Sequence, residues 1–256
     1  MDPLLFAFRY FTNLPMPGKL SRNEKIAAAS LAWLPLTGLA IGFCLAALAV
    51  IFQNTGFPAY PPLKALLIIA LELWVGGSGF LGGFRSACDG VFSGLGPRRS
   101  LEIMEDSHIG LTGALGLILA LLARIFLLAE LSLQGHFVFI VLFYPCWSRW
   151  AVSFAACHYQ VAQDEGMAFF FKIDQKPVYI LLSSVFTLLI LFLMPKYFYL
   201  AALASFVVLL FCCSLVQSRM GGQTQETYGL SAVTAEISFL LFSAVSGILF
   251  RYIGGS

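Results

Sequence analysis

Residues 178–216 read VYILLSSVFTLLILFLMPKYFYLAALASFVVLLFCCSLV, and Lys196 is the one charge among them. Two apolar runs, Val178–Met194 and Tyr197–Val216, are separated only by Pro195 and Lys196. A helix needs ~20 apolar residues to cross the hydrocarbon of a bilayer. Two such runs with a two-residue joint predict a membrane helical hairpin. An open sheet could not satisfy its backbone in lipid, and the ~10-residue alternation of a membrane barrel is missing.

Working outward, further apolar runs cover Ala27–Phe52, Leu63–Phe84, Gly110–Leu133, Phe137–Tyr159 and Leu230–Ile253. The expectation is therefore an all-α, polytopic helical bundle of about seven spans. The first run is long enough that it must tilt or extend beyond the hydrocarbon. Composition agrees: 59% of residues are hydrophobic and 11% charged, against roughly 25% charged in soluble domains. A net charge of +2 argues against a nucleic-acid partner. Six cysteines, mostly inside apolar runs, read as small buried hydrophobes rather than a disulfide framework. No repeat or linker interrupts the chain, so residues 1–256 are read as one integral membrane domain, and no cleavable signal peptide is evident.

The charges fall into clusters. Arg9, Lys19, Arg22, Lys25, Arg85, Arg98, Arg99, Lys172, Lys176 and Arg219 lie on one side of the predicted spans; Lys64, Lys196 and Arg251 lie on the other. The positive-inside rule makes the first side cytoplasmic. Residues 1–26 form an N-terminal arm on that side. In it Pro3–Phe11, apolar around Arg9, reads as an interfacial helix or short re-entrant element.

Three connecting segments, 85–109, 160–177 and 217–229, share this face. They hold Asp89, Glu102, Glu105, Asp106, His108, Asp164, Glu165, Asp174 and Glu226 together with cations and many glycines. Carboxylates can hold Mg²⁺, and Mg²⁺ with Arg and Lys neutralises phosphate oxygens. Glycines let backbone N–H groups approach an anion. Phosphoryl transfer needs positioning and charge neutralisation above all. Solvated loops with surface ion pairs are the plainer reading of any one segment.

A few charges lie inside spans. Glu72 is ~18 Å and Arg124 ~21 Å from the cytoplasmic ends of neighbouring antiparallel helices. Matching depth predicts a Glu72–Arg124 pair, because an unpaired charge there is costly. Arg149 lies between Trp147 and Trp150 and could snorkel, pair or meet an anionic ligand. Glu236, two turns into the last span, is a candidate ligand for a cation or a hydroxyl.

Several motifs occur in a fixed order: Phe11-Thr-Asn-Leu-Pro-Met-Pro17, Cys88-Asp-Gly-Val-Phe-Ser93, Leu101-Glu-Ile-Met-Glu-Asp-Ser-His-Ile-Gly110, Ser148-Arg149, Asp164-Glu-Gly166 and Gly221-Gly-Gln-Thr224. This ordered set resembles the cobalamin (5′-phosphate) synthase family, the adenosylcobinamide-GDP ribazoletransferases. The resemblance implies a membrane enzyme of the last steps of cobalamin assembly, in the cytoplasmic (inner) membrane of a bacterium or archaeon. It implies adenosylcobinamide-GDP and α-ribazole or its 5′-phosphate as substrates, GMP as product and Mg²⁺ as cofactor.

By motif position, Asp89, Glu105 and Asp106 become the candidate catalytic carboxylates, and Asp89, Asp106, Glu226 and Glu236 the candidate metal ligands. Arg98, Arg99, Ser107, His108, Arg149, Lys172, Gly221, Gly222, Gln223 and Thr224 become the candidate substrate contacts.

The chain departs from the family pattern. Where the family shows H-L-D-G-L-A-D-T-x-D-G, residues 80–90 read FLGGFRSACDG. Gly82 and Ser86 replace two aspartates and Phe80 a histidine. Gln225 and Glu226 stand at a Gly-Asp pair, Val233 at a glutamate, and Asn13 and Gln163 at arginines. Two other classes are therefore carried: a family member that binds corrinoid or nucleotide without turnover, and a small transporter using Glu72, Arg124 and Glu236. An oligomer is compatible with all three.

Overall fold

The computed structural model describes residues 2–16, 23–55, 60–106, 108–164 and 166–254, with side chains as far as residue 247. Ser107, Glu165, Lys19 and Arg22 lie outside the described residues, as does the side chain of Arg251.

The described residues form a helical bundle. In chain order the helices are α1 Pro3–Phe11, α2 Glu24–Ser30, α3 Leu34–Asn54, α4 Pro61–Gly76, α5 Gly79–Val91, α6 Pro97–Glu105, α7 Leu111–Leu131, α8 Phe137–His158, α9 Gly166–Ile173, α10 Pro177–Phe192, α11 Tyr197–Met220 and α12 Gln225–Gly254. A 3-10 turn at Leu31–Trp33 joins α2 to α3. Together they make one 31-residue apolar stretch, Glu24–Asn54, which meets the length expectation for the first span. Among the described residues, five stretches are long and apolar enough to cross a membrane, and up to seven if each of two bent pairs counts as one. The chain is a multi-pass membrane protein.

The bundle is built around α8, 83% of whose best span window is enclosed by protein, against 22% for α7. Gly38 and Gly42 let α3 press onto α8, because a Cβ at either would collide with the carbonyls of Pro145 or Leu142. Outward-facing Phe43, Leu119, Phe126, Leu188, Leu200 and Phe211 are exposed. They supply the lipid-facing surface such a bundle requires.

One expected span is bent, and a second bend lies just before another. Leu63–Phe84 does not run straight: α4 and α5 meet at 97° across Gly77 and Ser78. Gly77 has φ +76°, in the left-handed region that glycine adopts freely. The α9–α10 pair turns through 101°, with Pro177 at the first position of α10, where its missing N–H is harmless. The segments 85–109, 160–177 and 217–229, read as loops from sequence, are largely helical. They contain most of α5 and α6, α9, and the adjoining ends of α11 and α12. The last helix starts at Gln225, five residues before the expected Leu230.

The arm does form a helix at Pro3–Phe11, but Phe6, Ala7 and Phe11 are buried. These residues pack it against the bundle. The cysteines are unpaired thiols.

Candidate active site

The glycine-rich stretch Gly76-Gly-Ser-Gly-Phe-Leu-Gly-Gly83 sets the geometry. It ends α4 and starts α5. Asn13, just beyond α1, seals the end of α4: its backbone N–H donates to Val75 O at 2.7 Å and its Nδ2 to Trp74 O at 3.1 Å. Carbonyls that a helix end leaves unpaired are thereby satisfied. Past the bend, α5 lies across the start of α12 through Gly83 and Gly229. A Cβ on Gly229 would sit 2.5 Å from Phe80 O, and one on Gly83 would sit 3.0 Å from Glu226 O. Leu81, Phe84 and Val91 of α5 bury against Met104, Val216, Met220 and Leu230 in a second core that seats this helix.

The three polar segments converge here, as their shared face predicted. Gln163 Nε2 donates to Glu105 Oε1 at 2.8 Å, Ala162 N–H to Gln223 O at 3.0 Å, and Arg219 Nη1 to Val91 O at 3.0 Å. Gly221 caps α11 with φ +78°, a conformation suited to glycine. Gly222 passes so close to residues 160–162 that a Cβ would come within 2.5 Å of Ala162 N. Thr224 and Thr227 cap α12 reciprocally, each backbone N–H donating to the other's Oγ1, at 2.8 and 3.3 Å.

Three cavities meet at Gln225. One, of about 360 Å³, is lined by Tyr10, Phe11, Asn13, Gly76–Phe80, Met167, Phe171 and Tyr228. A second, of about 290 Å³, is lined by Glu105, Gln163, Met167, Gln223, Thr224 and Glu226. The third, of about 230 Å³, is lined by Gly79, Gly82, Gly83, Arg85, Ser86, Met104 and Glu226. In the third, Arg85 Nη2 donates to Ser86 Oγ at 2.7 Å. Its Nε is buried without a partner, while the guanidinium as a whole lines the cavity and offers its charge to an anion there. Burial, and then the nearby Glu226 charge, push the Tyr10 phenol above its usual range, so at neutral pH it stays a neutral donor.

Beneath the cavities is an ion-pair network inside the bundle. Arg124 hydrogen-bonds Glu72 and lies 3.4 Å from Glu236 Oε2; Arg149 Nη1 donates to Glu236 Oε1 at 2.9 Å. Tyr144 OH donates to Glu72 Oε2 at 2.7 Å. All four charged residues are at most 4% exposed. The depth-matched Glu72–Arg124 pair is thus present, joined by a second pair that sequence reasoning had assigned to ligands. The Arg149 guanidinium also lies over the Phe80 ring, 4.8 Å from its centroid. This ties the network to the first residues of α5.

The structure sorts the candidate residues. Glu105, Gln223, Thr224 and Glu226 line the cavities. Arg149 and Glu236 neutralise each other below them. Asp89 accepts the N–H groups of Gly110 at 3.0 Å and Gly113 at 2.7 Å, which caps the start of α7. Asp106 accepts the His108 N–H at 2.9 Å and lies 2.7 Å from His108 Nδ1. These two bonds hold its carboxyl below the ordinary aspartate value. Arg99 pairs with Glu102 at the exposed surface, Arg98 is exposed, and Lys172 Nζ donates to Tyr159 O.

Asp89, Asp106, Glu226 and Glu236 therefore do not form the metal cage expected of them. Two carboxylates are committed to backbone N–H groups and one to arginines. Among the described residues no group of three or more His, Cys, Asp or Glu could hold an ion.

Sequence reasoning missed Tyr10, Arg85, Phe171 and Tyr228. The usable signal was the density of glycines at 76–83, which marks close backbone approach.

The Cobalamin-5-phosphate synthase family matches residues 3–244. The chain belongs to this family. Among its relatives is the adenosylcobinamide-GDP ribazoletransferase of Desulfitobacterium hafniense strain Y51, 33% identical over 94% of this chain and 96% of the relative. The protein of that name from Escherichia coli K12 is 33% identical over 94% and 99%. That of Fusobacterium nucleatum is 29% identical over 94% and 95%. No solved structure matches. Within the synthase family, then, this member has its polar cavities at a broken span, and Gly82, Arg85 and Ser86 form one wall.

Proposed function

We propose that the protein is an adenosylcobinamide-GDP ribazoletransferase, working at the three cavities around Gln225 from the cytoplasmic side of the inner membrane. Relatives of that name over nearly the full chain carry the reading, and the cavity chemistry supports it. The positive-inside asymmetry supplies the orientation.

In the reaction, a hydroxyl oxygen of α-ribazole, or of its 5′-phosphate, forms a bond to the phosphorus that bears the cobinamide arm. The bridging P–O bond to the guanylate breaks, and GMP leaves with the bridging oxygen. Glu226, half-buried and shared by two cavities, receives the hydroxyl proton. Glu105, held by Gln163, faces the same space. Arg85, whose guanidinium borders the cavity, meets the pyrophosphate in a charge-assisted contact of the strong kind. The start of α12 adds the positive end of a long helix dipole.

No step is assigned to a preformed metal cage. Bound magnesium would supply neutralisation of the pyrophosphate oxygens, and Glu105 and Glu226 are the carboxylates of the cavities that would face it. Purified protein should then show GMP release that rises and saturates with added magnesium as the ion–nucleotide complex forms; release that survives exhaustive chelation removes magnesium from the account.

The test of function is complementation of a strain lacking its own synthase, followed by GMP release in vitro from adenosylcobinamide-GDP and α-ribazole. Growth and stoichiometric GMP are expected. Tight substrate binding with no GMP at any metal concentration would favour a non-catalytic member, for which the replacement of two aspartates by Gly82 and Ser86 is the motive.

A further inference from the structure

We infer that the 360 Å³ cavity at the broken span is the site for the flat aromatic base of the ribazole acceptor. This rests on the transferase reading and adds to it the location and chemistry of one substrate's recognition.

The cavity wall is a run of rings. Phe80 stacks on Phe11 at 5.8 Å with 9° between planes, Phe11 on Phe171 at 6.1 Å and 23°, and Phe171 meets Tyr228 at 6.1 Å. Stacking on aromatic side chains is the general way proteins hold planar bases without reading their edges. At the bend the backbone is uncovered: a Cβ on Gly79 would meet no atom within 4 Å, so the cavity is open there. The volume is in the range usual for small-molecule sites, ~300–1,000 Å³; the corrin macrocycle is too large for it.

Two planar bases take part in the reaction, and the wall discriminates between them. Guanine presents several donors and acceptors on its edge, and a buried edge must be satisfied. No carboxylate lines this cavity. Its Asn13 amide is committed to Trp74 O and its Thr12 hydroxyl to Phe8 O. A benzimidazole-type base, glycosylated on one nitrogen, is a hydrocarbon ring with a single remaining acceptor nitrogen. The lining hydroxyls of Tyr10, Ser78 and Tyr228 can serve that one nitrogen, the Tyr228 OH being buried without a partner, while no carboxylate is there to accept the paired N–H donors of a guanine edge. The cavity also shares Gly79 and Gln225 with the neighbouring one that holds Arg85 and Glu226. A base among the rings thus directs its ribose toward the carboxylate and cation that the reaction uses.

The experiment titrates purified full-length protein in detergent with α-ribazole, following the fluorescence of its base, in the absence of adenosylcobinamide-GDP. Saturable binding that excess GMP does not displace is expected. Displacement by GMP would give the cavity to guanine and overturn the assignment. Two variants extend the test. Ser78→Leu narrows this cavity from a residue that lines neither of its neighbours, and Phe171→Leu removes one ring from the stack. Each is expected to raise the KM for α-ribazole at least tenfold while the KM for adenosylcobinamide-GDP stays within twofold. Equal changes in both constants, or none, would overturn it. If Phe171→Leu does not fold, Ser78→Leu decides, because Ser78 is exposed and a larger side chain there disturbs no core. Wild-type protein that binds α-ribazole but releases no GMP would contradict the transferase reading and leave the base site standing. Protein that releases GMP with a KM for α-ribazole indifferent to both variants would do the reverse.

Discussion

Two clusters of ionisable groups lie one above the other in this protein and follow opposite rules. In the deeper one, Glu72, Arg124, Glu236 and Arg149 are buried and their charges are paired with one another, with further contacts to Tyr144, Ser148 and the Phe80 ring. In the upper one, Glu226, Arg85, Glu105 and Gln225 border open cavities, and Arg85 is bonded to Ser86 rather than to a carboxylate. A low-dielectric interior penalises any charge left over, so the deep cluster closes on itself and fixes the packing of α4, α7, α8 and α12. Where solvent and ligand enter, incomplete pairing is affordable, and it leaves groups free to act.

The largest expected effect comes from breaking the closed cluster. Arg124→Met would leave Glu72 and Glu236 facing each other in the interior, a loss of ~3–5 kcal/mol by the usual penalty for an orphaned buried charge. Thermal melts in detergent should show a protein that folds poorly or not at all. The double variant Glu72→Gln/Arg124→Gln should recover much of the loss. A fully stable Arg124→Met protein would mean that water reaches the cluster and that it is no closed network.

Arg85→Gln probes the open cluster. Stability should be unchanged, while the KM for adenosylcobinamide-GDP rises on the order of 10-fold, as for loss of one charged hydrogen bond. A melt shift without a kinetic effect would make Arg85 a scaffold residue.

Asp89→Asn comes next. It keeps one acceptor but loses the charge at the start of α7, so a loss of about 1 kcal/mol is expected, seen as a melt lowered by about 2–4 °C.

The smallest effect concerns Asp106. Its lowered carboxyl contributes above the unfolded aspartate value, about 3.9, and the contribution is lost only as pH falls through the lower folded value. The advantage of the wild type over Asp106→Asn should therefore be present at neutral pH and disappear as pH falls below about 3.9. An advantage that persists unchanged to about pH 2 would show that the ionised carboxyl does not carry it.

The same division explains what could be read in the sequence. Apolar runs such as Val178–Met194 announce themselves because lipid demands them, and equal depth was enough to pair Glu72 with Arg124. The bend was hidden. A run from Leu63 to Phe84 has span-like hydropathy whether straight or folded at Gly77, and only the cluster of glycines hints at the turn. Asp89 and Asp106 looked like metal ligands because composition cannot show that a carboxylate is already committed to a backbone N–H. Gly221 and Gly222 likewise looked like phosphate contacts, when φ +78° at one and close packing at the other account for both. Tyr10, Phe171 and Tyr228 carried no signal, since an aromatic residue in a membrane protein is ordinary until three distant helices bring several together.

The central claim is that chemistry occurs at the junction of α5 and α12 and not at the start of α7. GMP release from adenosylcobinamide-GDP and α-ribazole, measured side by side for Glu226→Gln and Asp106→Asn, tests it most directly. Loss of general-base assistance predicts a kcat lowered ~10²-fold or more in Glu226→Gln, with Asp106→Asn within a few fold of wild type. The opposite ranking, an inert Asp106→Asn beside an active Glu226→Gln, would contradict the account.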